Sequence, residues 1–113
     1  MPKIKKAMIL AAGFGTRLKP LTDTIPKALI KVNGIPMIEI VLKKLIEYGI
    51  DDVIINVHHM AEEIERFFGE NEYGTNVHLI YEKEILGTGG GIKNAEAFFR
   101  DEESFIVHNV DVR

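Results

Sequence analysis

The sequence predicts an α/β fold: a mostly parallel sheet with helices on both faces, incomplete at its carboxyl end. Three observations predict it. Apolar or β-branched runs alternate with amphipathic helical stretches along the whole chain. The run at 53–57 is apolar almost without a break, as in strands covered on both faces. Glycine-rich loops follow the first and third strands, on the side where such sheets hold their ligands.

The first strand is expected over 6–11. The chain begins basic and then apolar, like the start of a signal peptide, but the apolar run is short and breaks at Gly13-Phe14-Gly15-Thr16-Arg17. A buried strand is the better account. Residues 12–35 read as one long irregular stretch, of the kind that usually carries function. Over 36–48 the residues Met37, Ile38, Val41, Leu42, Leu45 and Ile46 recur at helical spacing, with Pro36 suited to the first helical position and Gly49 to the stop. A strand follows over 53–57, then a short helix over 60–68 with Ile64, Phe67 and Phe68 inward and Gly69 closing it. Residues 76–81 alternate as a third strand. The second glycine loop, 87–91, leads into a helix over about 92–100 and a last strand over 105–110. Right-handed crossovers join such units, giving a Rossmann-like α/β/α layering.

The 113 residues suit one domain with a single core, without internal repeat or linker. A net charge of -3 supplies no basic field for a polyanionic duplex, so nucleic acid is not an expected partner. The absence of cysteine removes disulfides, thiolate zinc sites and a cysteine nucleophile. No stretch has the apolar length of a membrane span, and the expectation is a cytoplasmic protein with no membrane partner. His58 and His59 are adjacent at a strand end and point to opposite faces, without a carboxylate at ligand spacing, so no metal is expected there. His78 and His108 fall on strands as core or sheet-surface groups, and Phe67, Phe68, Phe98 and Phe99 read as packing residues.

Gly13-Phe14-Gly15-Thr16-Arg17-Leu18 directly follows the first strand. Two glycines let backbone N–H groups approach an anion, and phosphate is the natural guest. By itself the Gly-x-Gly fits a tight strand-to-loop turn equally well. It is not a dinucleotide fingerprint, because Leu18 stands where a third glycine belongs, and no Gly-Lys-Ser/Thr occurs. The motif continues through Arg17-Leu18-Lys19-Pro20-Leu21-Thr22, Ile25-Pro26-Lys27-Ala28-Leu29 and Asn33-Gly34-Ile35-Pro36-Met37-Ile38. Later stand Leu86-Gly87-Thr88-Gly89-Gly90-Gly91-Ile92-Lys93-Asn94-Ala95 and Asn109-Val110-Asp111. Together these runs resemble the signature of the sugar-1-phosphate nucleotidyltransferases, the nucleotide-diphospho-sugar pyrophosphorylases. The Leu-Gly-Thr-Gly-Gly-Gly run looks most like the mannose- or heptose-1-phosphate guanylyltransferases and the N-acetylmuramate-1-phosphate uridylyltransferases.

The resemblance covers essentially the whole chain and implies the nucleotide-diphospho-sugar transferase fold. On it, residues 1–113 are the nucleotide-binding part of a nucleotidyltransferase domain whose sugar-binding C-terminal part is absent, weak or inactive alone. The implied reaction joins an NTP, with GTP or UTP favoured, to a sugar 1-phosphate, giving an NDP-sugar and pyrophosphate. The attacking oxygen is already anionic, so positioning and charge neutralisation carry the catalysis. The resemblance makes Arg17 and Lys27 catalytic, Arg17 by presenting a fork of donors to the β- and γ-phosphates. Leu10, Ala11, Ala12, Gly13, Gly15 and Thr16 would bind nucleotide, with Gly87 and Thr88 closing over base and ribose. Glu82 takes the place of the side chain that reads the base edge, where a carboxylate leans towards guanine. Asp111, beyond a strand end, resembles the first metal aspartate, with Mg²⁺ as its ion; Val110 stands where the family usually has glycine. Two other functions fit the sequence: a non-catalytic nucleotide-binding or regulatory module of the same fold, and an interaction domain that forms a homo-oligomer through an open sheet edge.

Overall fold

The computed structural model describes residues 4–11, 25–58, 60–82, 93, 98 and 105–110. Four of its strands form one parallel sheet: β1 (Lys6–Leu10), β4 (Asp52–Val57), β5 (Asn76–Tyr81) and β6 (Ile106–Asn109). Their order is β5-β4-β1-β6, so the chain starts in the middle, winds outward through β4 to β5 and then returns to the other side of β1. Each crossover in such a sheet needs a connection over one face. Helix α1 (Met37–Glu47) lies between β1 and β4, and α2 (Ala61–Glu70) between β4 and β5.

The strand pleat sorts side chains to two faces. Ala7, Ile9, Val53, Ile55 and Val57 join Ile38, Val41, Leu42 and Leu45 of α1 and Ile64 of α2 in the main core. Met8 and Ile54 point the other way, against Leu10, Ile80, Phe98 and Phe105. Phe98 therefore covers the opposite face, where the Lys6 ammonium donates to its carbonyl at 3.0 Å and lies 4.9 Å from the centre of its ring. The layering expected from the sequence is present. Of the helix expected over 92–100, Lys93 and Phe98 are described, both helical, and the rest lies outside the described residues.

Element ends follow local chemistry. Pro36 stands one position before α1, as its N-cap, rather than inside the helix. At the other end Gly49 adopts φ 87, its N–H reaches the Ile46 carbonyl at 2.9 Å, and the Ile50 N–H reaches Leu45 at 3.2 Å. This pair of bonds is a Schellman ending, and it explains why a glycine follows the helix. Gly69 was expected to close α2, but the helix runs through it to Glu70. Beyond that end the Asn71 side chain donates to the Phe67 carbonyl at 2.8 Å, supplying a partner that the helix itself lacks. Phe67 and Phe68 pack edge-to-face at 5.1 Å against the main core.

The long irregular stretch also contains structure that the apolar pattern did not show. Lys27–Leu29 forms a 3-10 turn, and β2 (Lys31–Val32) pairs antiparallel with β3 (Ile35–Pro36). Asn33 and Gly34 link them with φ 53 and 82, both positive, the geometry of a type I′ hairpin. No helix among the described residues is long and apolar enough to cross a membrane.

Leu42 is fully buried between α1 and the sheet, whereas Tyr48 is 70% exposed. Leu42→Ala is expected to lower the unfolding free energy by about 2–5 kcal/mol, through lost burial and the cavity left behind. Tyr48→Ala should change it by less than about 0.5 kcal/mol. Equilibrium urea unfolding of the two variants checks the pair.

Candidate functional site at the carboxyl edge of the sheet

Parallel strands in register bring their carboxyl ends to one edge. Leu10 of β1 lies opposite Asn56 of β4 and Asn109 of β6, and Val57 lies opposite Tyr81 of β5. The next residues out are Ala11, His58, Glu82 and Val110. Two backbone bonds extend the ladder one step: the Glu82 N–H donates to Val57 at 2.8 Å and the Val110 N–H to Leu10 at 3.2 Å. Loops leaving this edge start from fixed positions.

A polar chain crosses three strands there. The Ala11 N–H donates to Asn56 Oδ1 at 2.7 Å, and Asn56 Nδ2 donates to Glu82 Oε2 at 3.0 Å. Ala11, Asn56 and Glu82 are all buried, and Asn56 and Glu82 are the buried polar side chains of the described residues. The His58 ring closes the arrangement, its Nδ1 bonded to the Glu82 carbonyl. A carbonyl only accepts, so that nitrogen carries the proton. Backbone and carboxylate of Glu82 are thus both held.

Among the described residues, one buried side-chain atom of this network lacks a partner. Glu82 Oε1 is buried and accepts no hydrogen bond among the described residues. Leaving a buried acceptor unsatisfied costs about 1–3 kcal/mol, more when the group is charged. Such a group can take a donor from a water or a ligand.

Of the residues singled out in the sequence, Leu10, Ala11 and Glu82 meet at this edge. Lys27 begins the 3-10 turn ahead of α1, where the neighbouring Ala28 is buried in the main core. Ala12, Gly13, Gly15, Thr16, Arg17, Gly87, Thr88 and Asp111 lie outside the described residues, as does His59. Asn56 was missed. Its signal was one polar residue inside the run Val53-Ile54-Ile55-Asn56-Val57, a position that burial makes costly unless both ends of the amide are bonded.

His78 and His108 serve on the sheet surface. His78 lies 3.4 Å from Asp52 and packs at 5.0 Å on the Phe98 ring. Among the described residues, no three His, Cys, Asp or Glu side chains gather as a metal site. An open cleft of about 770 Å³ lies at the opposite end of the sheet, between Asp51, Phe68, Asn71 and Tyr73. Size does not make it the site: the buried polar groups converge at the carboxyl edge.

Comparison with known proteins shows the family. The nucleotidyl transferase family model matches residues 6–112, nearly the whole chain. The chain belongs to the nucleotidyl transferase family. It is 41% identical over 103 residues to the UTP–glucose-1-phosphate uridylyltransferase of Synechocystis sp., covering 82% of this chain and 26% of that protein. To the mannose-1-phosphate guanyltransferase of Neurospora crassa it is 41% identical over 110 residues, covering 95% of this chain and 30% of the relative. Among solved structures, HddC from Yersinia pseudotuberculosis complexed with GMP-PN matches with a TM-score of 0.81 at 34% identity, over 96% of this chain and 48% of that one. This nucleotidyl transferase chain thus spans between a quarter and a third of the curated relatives it matches. Nucleotidyltransferases of this family generally use a divalent metal.

The amide at position 56 has a testable electrostatic role. Asn56→Asp keeps an acceptor for Ala11 but sets a second carboxylate against Glu82, and is expected to destabilise the fold by on the order of 3 kcal/mol. Adding Glu82→Gln restores a donor across that contact and should recover most of the loss. A double-mutant cycle by urea unfolding measures the coupling.

Proposed function

We propose that the protein carrying this chain transfers a nucleotidyl group from an NTP, GTP in first place, to a sugar 1-phosphate. The observation that carries this reading is Glu82: a buried carboxylate at the end of β5, one oxygen held by Asn56 and the other without a partner among the described residues. Guanine offers two adjacent donors, its ring N1–H and its 2-amino group, which suit a carboxylate edge. Uracil offers a single ring N–H between two carbonyl oxygens, a poorer match. The guanyltransferase relatives and the GMP-PN-bound neighbour support the preference, and the uridylyltransferase relative supports the reaction class.

In the reaction an oxygen of the sugar phosphate forms a bond to the α-phosphorus of the NTP. The bond from that phosphorus to the bridging oxygen of the β-phosphate breaks, and pyrophosphate leaves with the electron pair. Both partners are anionic, so the work is alignment and neutralisation. Ala11 stands at this edge, and the backbone N–H groups of the sequence that follows it, through Thr16, would cradle the phosphates. Arg17 would neutralise the leaving pyrophosphate, and Lys27 the reacting phosphates, as a mobile point charge. Gly87 and Thr88 would close over base and ribose.

A divalent ion fits the same edge. The Val110 N–H bond to Leu10 carries the end of β6 alongside β1, and Asp111 is the next residue in the sequence. One strand-end carboxylate suits Mg²⁺, which takes most of its ligands from phosphates and water. Asp111 would hold the ion, which supplies charge neutralisation on the phosphate oxygens when bound.

The test is a product assay on the full-length protein with Mg²⁺, supplying GTP, UTP, CTP, dTTP and ATP in turn with mannose, glucose and heptose 1-phosphates. Formation of an NDP-sugar with one pyrophosphate per turnover is expected, fastest with GTP. Arg17→Ala and Lys27→Ala should each lower kcat by about 10²–10³. Nucleotide binding without NDP-sugar from any combination would instead favour a non-catalytic module.

A further inference from the structure

The directions of the hydrogen bonds at the carboxyl edge are forced. A backbone N–H can only donate, so the Asn56 atom 2.7 Å from the Ala11 nitrogen must be the amide oxygen. The amide NH₂ then necessarily faces residue 82, and the atom it meets at 3.0 Å must accept. Glu82 has a second oxygen, buried and without a partner among the described residues. The side chain of Asn56 thus transmits a choice made by the backbone at the end of β1 to a carboxylate at the end of β5.

We propose that Asn56 is a positioning residue for base selection: it fixes which atom of residue 82 is left for the ligand, and whether that atom accepts or donates. This rests on the reading of Glu82 as the group that meets the base. With glutamate at position 82 the remaining atom is an acceptor, matched to the donor edge of guanine. With glutamine, the carbonyl oxygen must turn to Asn56, and the remaining atom becomes an NH₂ donor. The same glutamine beside an aspartate at position 56 must do the reverse, giving its NH₂ to Asp and leaving its oxygen for the ligand. Base preference is therefore set by the pair of residues, not by residue 82 alone.

Equilibrium binding of GTP, ITP and UTP to the full-length protein, with Mg²⁺, tests this by calorimetry. ITP lacks the 2-amino group but is otherwise guanosine-like, so the GTP-to-ITP ratio reports the contact itself. The parent protein should bind GTP most tightly. Glu82→Gln should lower the GTP-to-UTP ratio about tenfold or more, the scale of one lost hydrogen bond to a buried partner. The double variant Asn56→Asp with Glu82→Gln should regain a substantial part of that ratio, although it carries one more substitution. A purely structural role for Asn56 predicts no such rescue. If the double variant selects no better than Glu82→Gln alone, the inference is overturned while the guanine reading stands; if all three nucleotides weaken in parallel in both variants, residue 82 does not read the base and the inference falls with it. If the parent protein itself shows no preference for GTP, the base assignment of Glu82 falls and takes the inference with it. Because Glu82→Gln keeps an acceptor for Asn56, it preserves the internal bond, and its result does not depend on tolerating a disrupted core.

Discussion

The backbone N–H of Ala11 is the constraint from which the carboxyl edge of the sheet is organised. It sits where β1 leaves the ladder, buried and in need of an acceptor. The side-chain amide of Asn56 supplies it, and in doing so ties the residue after β1 to β4, the inner strand between β1 and β5. The bond to Glu82 then extends the tie to β5. Side chains thus join three strands at their carboxyl edge.

This arrangement needs the rest of the fold to hold its register. A shift of one residue between β1 and β4 would turn Asn56 to the face of α1 and α2 and bring an apolar side chain under Ala11. Register is secured by the alternation itself: Val53, Ile55 and Val57 face the main core, while Ile54 and Asn56 face the other side. The apolar run therefore does two things. It buries both faces of β4, and it presents its single polar member at the carboxyl edge.

Much of the architecture was legible in the sequence because it follows from periodicity. Strand β5 has the bounds that alternation suggested, and α1 has the apolar face read from Met37 to Ile46. The Asn33-Gly34 hairpin was present as a turn signal but was hidden within a stretch read as irregular, since two-residue strands have no measurable alternation. Gly69 shows the opposite: in the sequence a glycine reads as a stop, while the ending lies beyond it, where the Asn71 side chain caps the Phe67 carbonyl. At the candidate site, Leu10 and Ala11 are expected from the resemblance and Glu82 from its place after the third strand, and the structure brings the three to one edge. Asn56 was not, because its role depends on partners 45 residues before it and 26 residues after it. Only a fold that aligns the three strands reveals why an amide belongs there.

The central claim is that Glu82 meets the nucleobase with the oxygen that Asn56 leaves unused. A crystal structure of the full-length protein with a non-hydrolysable GTP analogue and Mg²⁺ tests it most directly. The account predicts the guanine N1–H or 2-amino group within hydrogen-bond distance of Glu82 Oε1, with the bonds from Ala11 to Asn56 and from Asn56 to Glu82 intact. A bound guanine whose donor edge is met by other groups, with Glu82 Oε1 paired to the protein alone, would contradict it.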